Sequence, residues 1–437
     1  MTTLEGSRTH DEVDAAVVDA RARYAARRPE SARQHEQARR FMPGGNTRSV
    51  LHHGPFPLRV VRAWDAVLLD ADGHEYVDLL GEYSAGLYGH SHPVLVRAMT
   101  QAMEEGISRG AHTQHEVALA QVVCERFGLE RVRFTSSGTE ANLMALSAAR
   151  AATGRERVLV FRGGYHGGVL SFAHGTSKVN VPYDVLLSPY NDAGAATALL
   201  REHGHEVAAV LVEPMLGASG CIPGEPAFLR ALQQAAHDAG ALVVLDEVMT
   251  SRTGSRGLGH RLGLQPDLVT LGKYVGGGSS FGAFGGGAEV LDLFDPTRPD
   301  ALPHAGTFNN NVVSMAAGLA GLTEVYTPEA AGRHTARGNA LRERLADAVA
   351  GAGLQVTGVG SLMAFHATTA AVRRPEDLVD ADPRRLELLF LDLLDEGYYV
   401  APRGYLALSL APDDSQLDGF VEAVARVAAA RAGLGRP

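Results

Sequence analysis

From about residue 90 the chain alternates short apolar runs with helical stretches, and this rhythm restricts the fold more than any other feature. Strands are predicted over 132–134, 158–161, 207–212, 241–245 and 268–271, with helices over 139–153, 192–203 and 226–239 between them. Apolar runs without polar alternation suit strands buried on both faces. Strand–helix succession therefore argues for an α/β domain whose mostly parallel sheet is covered by helices on both sides. In such an open sheet, ligands gather beyond the carboxyl ends of the strands.

The flanks read differently. Residues 1–40 are charged and helical in tendency, with Val13, Ala16, Val17 and Ala20 at helical spacing but no stripe wide enough for a core, so an outer arm or helix is expected. Runs over 58–64 and 67–70, followed by the turn signal Asp72-Gly73, predict a small antiparallel sheet. Past about 335 the order is helix, two strands (354–359 and 362–366), a helix over 383–396, a strand over 405–409 and a last helix. The expected division is an N-terminal arm and small sheet over 1–85, a large domain over 86–335 and a C-terminal α+β lobe over 336–437.

Composition excludes several function classes. With 50 acidic against 40 basic residues and a net charge of −10, the chain lacks the positive field that nucleic acid demands. At 45% hydrophobic residues it is not a disordered chain, and no apolar run approaches a membrane span. The opening Met1-Thr-Thr-Leu-Glu-Gly-Ser-Arg lacks a secretion signal, and two cysteines, Cys124 and Cys221, make no disulfide framework. A cytoplasmic protein is expected. His52-His53, His90/His92 and His203/His205 lack partners at ligand spacing, so no metal is expected. Of the 40 basic residues only Lys178 and Lys273 are lysines, so chemistry that needs a primary amine has two side chains to choose from.

Four unusual segments fall where strands end. Phe134-Thr-Ser-Ser-Gly-Thr-Glu runs from a strand into a helix, aiming backbone N–H groups and hydroxyls at one spot; that suits a phosphate, although an ordinary Ser/Thr N-cap looks the same. Gly163-Gly-Tyr-His-Gly-Gly168 offers an aromatic ring flanked by glycines, open to a planar ligand or merely part of a flexible loop. Asp246 closes an apolar strand, where a carboxylate needs a cation, a donor or a capping role. Lys273 closes another and enters a glycine run; so placed, an amine is expected to have a lowered pKa and to attack carbonyls in its neutral form. A phosphate cradle, an aromatic plate, an acid and an imine-forming lysine are together what pyridoxal 5′-phosphate requires of a protein.

The order Ser137-Gly-Thr-Glu-Ala, Tyr165-His-Gly, Glu213-Pro, Asp246-Glu-Val-Met-Thr and Gly272-Lys273, with 27 residues from Asp246 to Lys273, resembles the class III aminotransferases of the fold-type I pyridoxal phosphate enzymes. The resemblance covers nearly the whole chain. It implies Lys273 as the imine-forming lysine and proton carrier, and Asp246 on the pyridine nitrogen. Ser137, Gly138 and Thr139 would hold the phosphate, with Tyr165 on one ring face and Val248 on the other. His166, Glu213 and Met249 are placed in the cofactor's surroundings as well. Thr307, in Gly306-Thr307, would reach the phosphate of the partner subunit in a homodimer with shared active sites. Asn46-Thr-Arg-Ser-Val50, Gly217-Ala-Ser-Gly-Cys-Ile-Pro223, Thr307-Phe-Asn-Asn-Asn311 and Pro402-Arg-Gly404 are similar to the aromatic β-amino acid aminotransferases of the β-phenylalanine type. By that likeness Arg48 clamps the substrate carboxylate, while Arg403 serves a second carboxylate or the pocket rim. The expected reaction is ping-pong transfer of the amino group from a β-amino acid to a keto acid such as 2-oxoglutarate.

Pro43-Gly44-Gly45 and Gly276-Gly-Gly278 are shared with glutamate-1-semialdehyde aminomutases, the alternative reading. A pyridoxal-fold scaffold without catalysis is a remoter one, opposed by the presence of both Lys273 and Asp246. Gly278-Ser-Ser-Phe-Gly282 fits the hydrolase elbow G-x-S-x-G, but glycines stand where that turn needs a strand.

Overall fold

The computed structural model describes residues 2–173 and 175–434, with residues 2–11 described by backbone alone. Met1, at the head of the segment read for a leader, and residues 435–437 of the C-terminal lobe lie outside the described residues. The large sheet has seven strands in the order 131–135, 282–286, 268–272, 242–246, 207–212, 157–161 and 185–188. All run parallel except 282–286, which is antiparallel to both its neighbours. The six parallel strands therefore present their carboxyl ends along one edge.

The strand period of two sorts the apolar residues onto two faces. Val158, Val160, Ala209, Leu211 and Val244 join Ala141, Ala145 and Leu146 of the helix Gly138–Thr153. Leu159, Phe161, Val210, Val212 and Leu245 face the other way, onto Leu200, Phe228, Leu229 and Leu232 of the helices Ala193–His203 and Pro226–Asp238. All six residues of Val207–Val212 are buried. That explains why this run shows no polar alternation.

The strand Gly282–Gly286 was not expected, because its glycines are poor strand formers. Packing demands them: a Cβ on Gly282 would stand 2.1 Å from the Ser137 carbonyl oxygen, and one on Gly286 2.1 Å from that of Asp267. Ser280, the centre of the G-x-S-x-G match, follows the turn Lys273–Gly276 and precedes this strand, so it occupies no strand-to-helix elbow.

The two ends of the chain meet. Val60–Trp64, Val67–Asp70 and Glu75–Asp78 form an antiparallel set, and the short strand Tyr398–Tyr399 adds to Glu75–Asp78 in parallel. Gln355–Val359, Leu362–His366 and Tyr405–Ala407 form a second, antiparallel sheet. Residues 1–40, expected as an outer arm or helix without a core-sized stripe, form the helices Thr2–Arg27 and Pro29–Arg39, and the first is packed into a core after all. Val13, Val17, Ala20 and Tyr24 are buried in one core with Leu388, Phe390, Leu394 and Phe420. Its apolar stripe is narrow but complete where it meets the helix Pro383–Asp395, and ion pairs flank the seam, Arg23 to Asp392 at 3.0 Å and Arg27 to Asp395 at 2.9 Å. Among the described residues, no helix is long and apolar enough to cross a membrane.

Candidate active site

The carboxyl edge of the large sheet carries Ser137, Tyr165, Glu213, Asp246 and Lys273, each just beyond or at the end of its own strand. Asp246 is 4% exposed, yet its oxygens are satisfied. Oδ2 accepts from Asn142 Nδ2 at 2.8 Å and lies 2.8 Å from His166 Nδ1, while Oδ1 accepts from the Val248 amide at 3.0 Å. Asn142 is itself held: its Oδ1 accepts from Thr270 Oγ1 at 2.8 Å and its Nδ2 also donates to the His166 carbonyl at 3.0 Å. Thr270 stands directly across from Asp246 in the sheet register. The result is a desolvated carboxylate of fixed orientation.

Lys273 follows the strand Leu268–Gly272 with φ of 55°, a left-handed conformation that a lysine adopts only under constraint. Its Nζ donates to the Tyr83 carbonyl at 2.7 Å. Burial pulls its pKa down from 10.5 to about 8, against the opposing attraction of Asp246 and Glu82. A substantial fraction of neutral amine is thus present near physiological pH.

Around these two groups the glycines mark close approaches. A Cβ on Gly138 would sit 2.9 Å from both methyls of Val248, and one on Gly272 3.2 Å from Val248 Cγ1. Gly167 lies against the Thr139 side chain, and Gly217 against Met249. Ser137 caps the helix Gly138–Thr153, its Oγ accepting from the Glu140 amide at 3.2 Å. The first amides of that helix, including those of Gly138 and Thr139, have no intrahelical acceptor and point with the helix dipole toward the site. Buried Glu213 fastens the aromatic loop, Oε2 accepting from the Tyr165 amide at 2.9 Å and Oε1 from that of Gly217 at 3.0 Å. Burial lifts the Glu213 carboxyl to about 7, with His166 pulling the other way. Tyr165 is 45% exposed.

Arg48 and Arg403 come together from opposite ends of the sequence. Their guanidinium carbons lie 6.0 and 5.4 Å from the centre of the Tyr83 ring, which stacks on Tyr405 at 5.8 Å. Sequence reasoning missed Tyr83, Tyr405, Asn142 and Thr270. Asn142 was findable, since it lies one helical turn beyond Gly138 and must share its face; Thr270 is the polar residue in an apolar strand. Nothing local marks Tyr83. Thr307 is exposed, and no hydrogen bond among the described residues ties it to Ser137, Gly138 or Thr139 of its own chain.

Pyridoxal phosphate fits this donor set. The helix start offers free amides to a phosphate, Asp246 is an oriented carboxylate for a protonated ring nitrogen, and Lys273 is an amine kept reactive by burial. On a sheet of this topology, that combination is the mark of the fold-type I pyridoxal phosphate-dependent transferases. The chain belongs to the class III aminotransferase family, whose family model matches residues 50–427. It is 54% identical over 419 residues to a β-phenylalanine transaminase of Variovorax paradoxus, covering 95% of this chain and 96% of that one. A solved β-phenylalanine aminotransferase of the same species superposes with a TM-score of 0.95 at 53% identity, covering 97% of this chain and 99% of that one. A transaminase solved with pyridoxal phosphate bound gives 0.86 at 31% identity, over 94% and 99% of the two chains. A glutamate-1-semialdehyde aminomutase of Pseudomonas aeruginosa gives 0.86 at 25% identity, over 95% and 97%.

Proposed function

We propose that this aminotransferase moves the amino group of an aromatic β-amino acid of the β-phenylalanine type to a keto acid such as 2-oxoglutarate, in two half-reactions of a ping-pong cycle. The observation that carries this reading is the pair of arginines on the Tyr83 ring, beside the carbonyl that receives Lys273 Nζ. In a 3-amino acid the carboxylate stands one carbon farther from the reacting carbon than in a 2-amino acid. A guanidinium reached from the N-terminal segment, outside the lysine recess, matches that reach, and its fork holds a carboxylate bidentately. Arg48 takes the donor's carboxylate in this reading, and Arg403 serves the second carboxylate of a dicarboxylic acceptor or the rim. The lower identity to the aminomutase, 25% against 54%, disfavours that alternative.

When bound, the cofactor supplies an aldehyde carbon for the amino group and a ring that accepts electrons. Lys273 would hold the cofactor, and its Nζ would take the proton from the amine-bearing carbon of the donor. Asp246 keeps positive charge on the ring nitrogen, with His166 and Asn142 fixing its direction. Ser137, Gly138 and Thr139 hold the phosphate, Tyr165 and Val248 cover the two ring faces, and Glu213 and Met249 support the loops beside them. The working form is a cytoplasmic homodimer in which Thr307 reaches the partner's phosphate site. Exposed Val96, Met103, Ile107, Val117 and Phe308 supply apolar surface for that contact. Residues 1–85 and 336–437 form the small lobe around residues 86–335, a division supported by the sheet they share.

A donor screen tests the substrate. With 2-oxoglutarate and pyruvate as acceptors, 3-amino-3-phenylpropanoate is expected to outrun short β-amino acids, glutamate-1-semialdehyde and simple amines. Preference for the semialdehyde would reverse the reading.

A further inference from the structure

The segment Gly81–Ser84 is unusual in its backbone. Four successive residues have positive φ: Gly81 at 54°, Glu82 at 47°, Tyr83 at 51° and Ser84 at 77°. Three of them carry side chains, and such a conformation is unfavourable unless its surroundings enforce it. Here they do. The Gly86 amide closes the turn on the Gly81 carbonyl at 2.9 Å, and the Ser84 carbonyl accepts from buried Arg252 at 3.3 Å. The Tyr83 hydroxyl donates to the Val50 carbonyl at 3.1 Å, and its ring stacks on Tyr405.

This strap does two things at the site. It turns the Tyr83 carbonyl toward Lys273 Nζ, and it places the Glu82 carboxylate on Arg48, Oε1 to Nη2 at 2.7 Å. The two side chains are 46% and 56% exposed, so the ion pair is not part of the buried framework and contributes at most about 1 kcal/mol. Arg403, on the same aromatic ring, makes no salt bridge among the described residues. Two arginines able to hold a carboxylate thus stand in unequal states, one already occupied by an acid of the chain itself and the other open.

We infer that Glu82 is a specificity-determining residue: an internal carboxylate that holds Arg48 in the absence of substrate and must be displaced by the substrate's own carboxylate. This rests on the assignment of Arg48 to the donor. Two consequences follow from simple electrostatics. A ligand reaches Arg48 only by outcompeting Glu82, which keeps affinity for simple carboxylates low; and the Arg48 guanidinium stays oriented toward the pocket between turnovers rather than swinging into solvent.

The probe is 3-phenylpropanoate, which has the carboxylate and ring of the proposed donor but no amino group and so cannot react. Its dissociation constant is measured by calorimetry on the holoenzyme for wild type, Glu82→Gln, Arg48→Ala and the double variant. Glu82→Gln is expected to bind about fivefold tighter, the upper end of what an exposed pair is worth, and the gain is expected to vanish in the Arg48→Ala background. If Glu82 merely supports the strap, its loss would loosen Tyr83 and weaken binding in both backgrounds. Unchanged or weaker binding in Glu82→Gln, or a gain that persists without Arg48, overturns the inference. A negative donor screen together with the fivefold gain would reject the proposed substrate while leaving Glu82 in its role.

Discussion

At the scale of single residues the site depends on two desolvated ionisable groups treated differently. Asp246 retains three hydrogen-bond partners in its buried position, whereas Lys273 has a carbonyl partner and a depressed pKa. Uptake of cofactor by cofactor-free protein should therefore accelerate as pH rises through about 8 and level off above it. A lysine at its ordinary 10.5 would still be climbing there. The same shift has a stability sign: the folded chain releases this proton more readily than the unfolded chain. Fold stability of cofactor-free protein should gain between about 8 and 10.5, and Lys273→Ala should abolish that gain in pH-dependent melting. Asn142→Ala removes one donor from Asp246 and leaves Thr270 without its acceptor. A hydrogen bond to a charged group is worth about 1.5–3 kcal/mol, so cofactor dissociation should rise about tenfold or more by equilibrium dialysis. An unchanged dissociation constant would show that His166 and the Val248 amide suffice.

Among the elements, the parallel strands explain why these groups meet, and the strap explains how the segment before residue 85 reaches Lys273 and Arg48. Gly81 is a close approach within that strap: a Cβ there would stand 2.7 Å from the Ala407 carbonyl oxygen, at φ of 54°. Gly154 ends a helix at φ of 67° with nothing within 4 Å of its missing Cβ. Gly154→Ala thus reports the backbone strain alone, and Gly81→Ala the strain plus a clash with backbone. We expect the second to lower the melting temperature further, and to weaken 3-phenylpropanoate binding because the Tyr83 ring, on which Arg48 and Arg403 rest, moves with it. Equal melting temperatures for the two variants would mean that the strap yields without resistance.

For the whole molecule the open question is the reach of Thr307, and mixing two defective chains answers it. In the proposed homodimer, Lys273→Ala and Thr307→Ala proteins, each expected to be impaired alone, would form mixed dimers after co-expression. If Thr307 serves the partner, one site in each mixed dimer combines intact Lys273 with intact Thr307, and wild-type turnover returns at about half the sites. No recovery would place Thr307 in its own chain's site. At this scale the division between sequence and structure is also plainest. Alternation of apolar runs and helices determined the large α/β domain, because burial on both faces leaves no polar alternation, and the motifs at strand ends determined the pyridoxal phosphate chemistry, because parallel strands put all those ends on one edge. The strand Gly282–Gly286 and the burial of the N-terminal helix were not legible, since each depends on close contact with segments far away in the chain. Arg48 and Arg403 were named for the substrate from sequence, but only the tertiary structure decided that Glu82 and Tyr83 meet them: a left-handed strap carries no periodicity, and its conformation is enforced by Arg252, Val50 and Tyr405, which no local pattern connects to it.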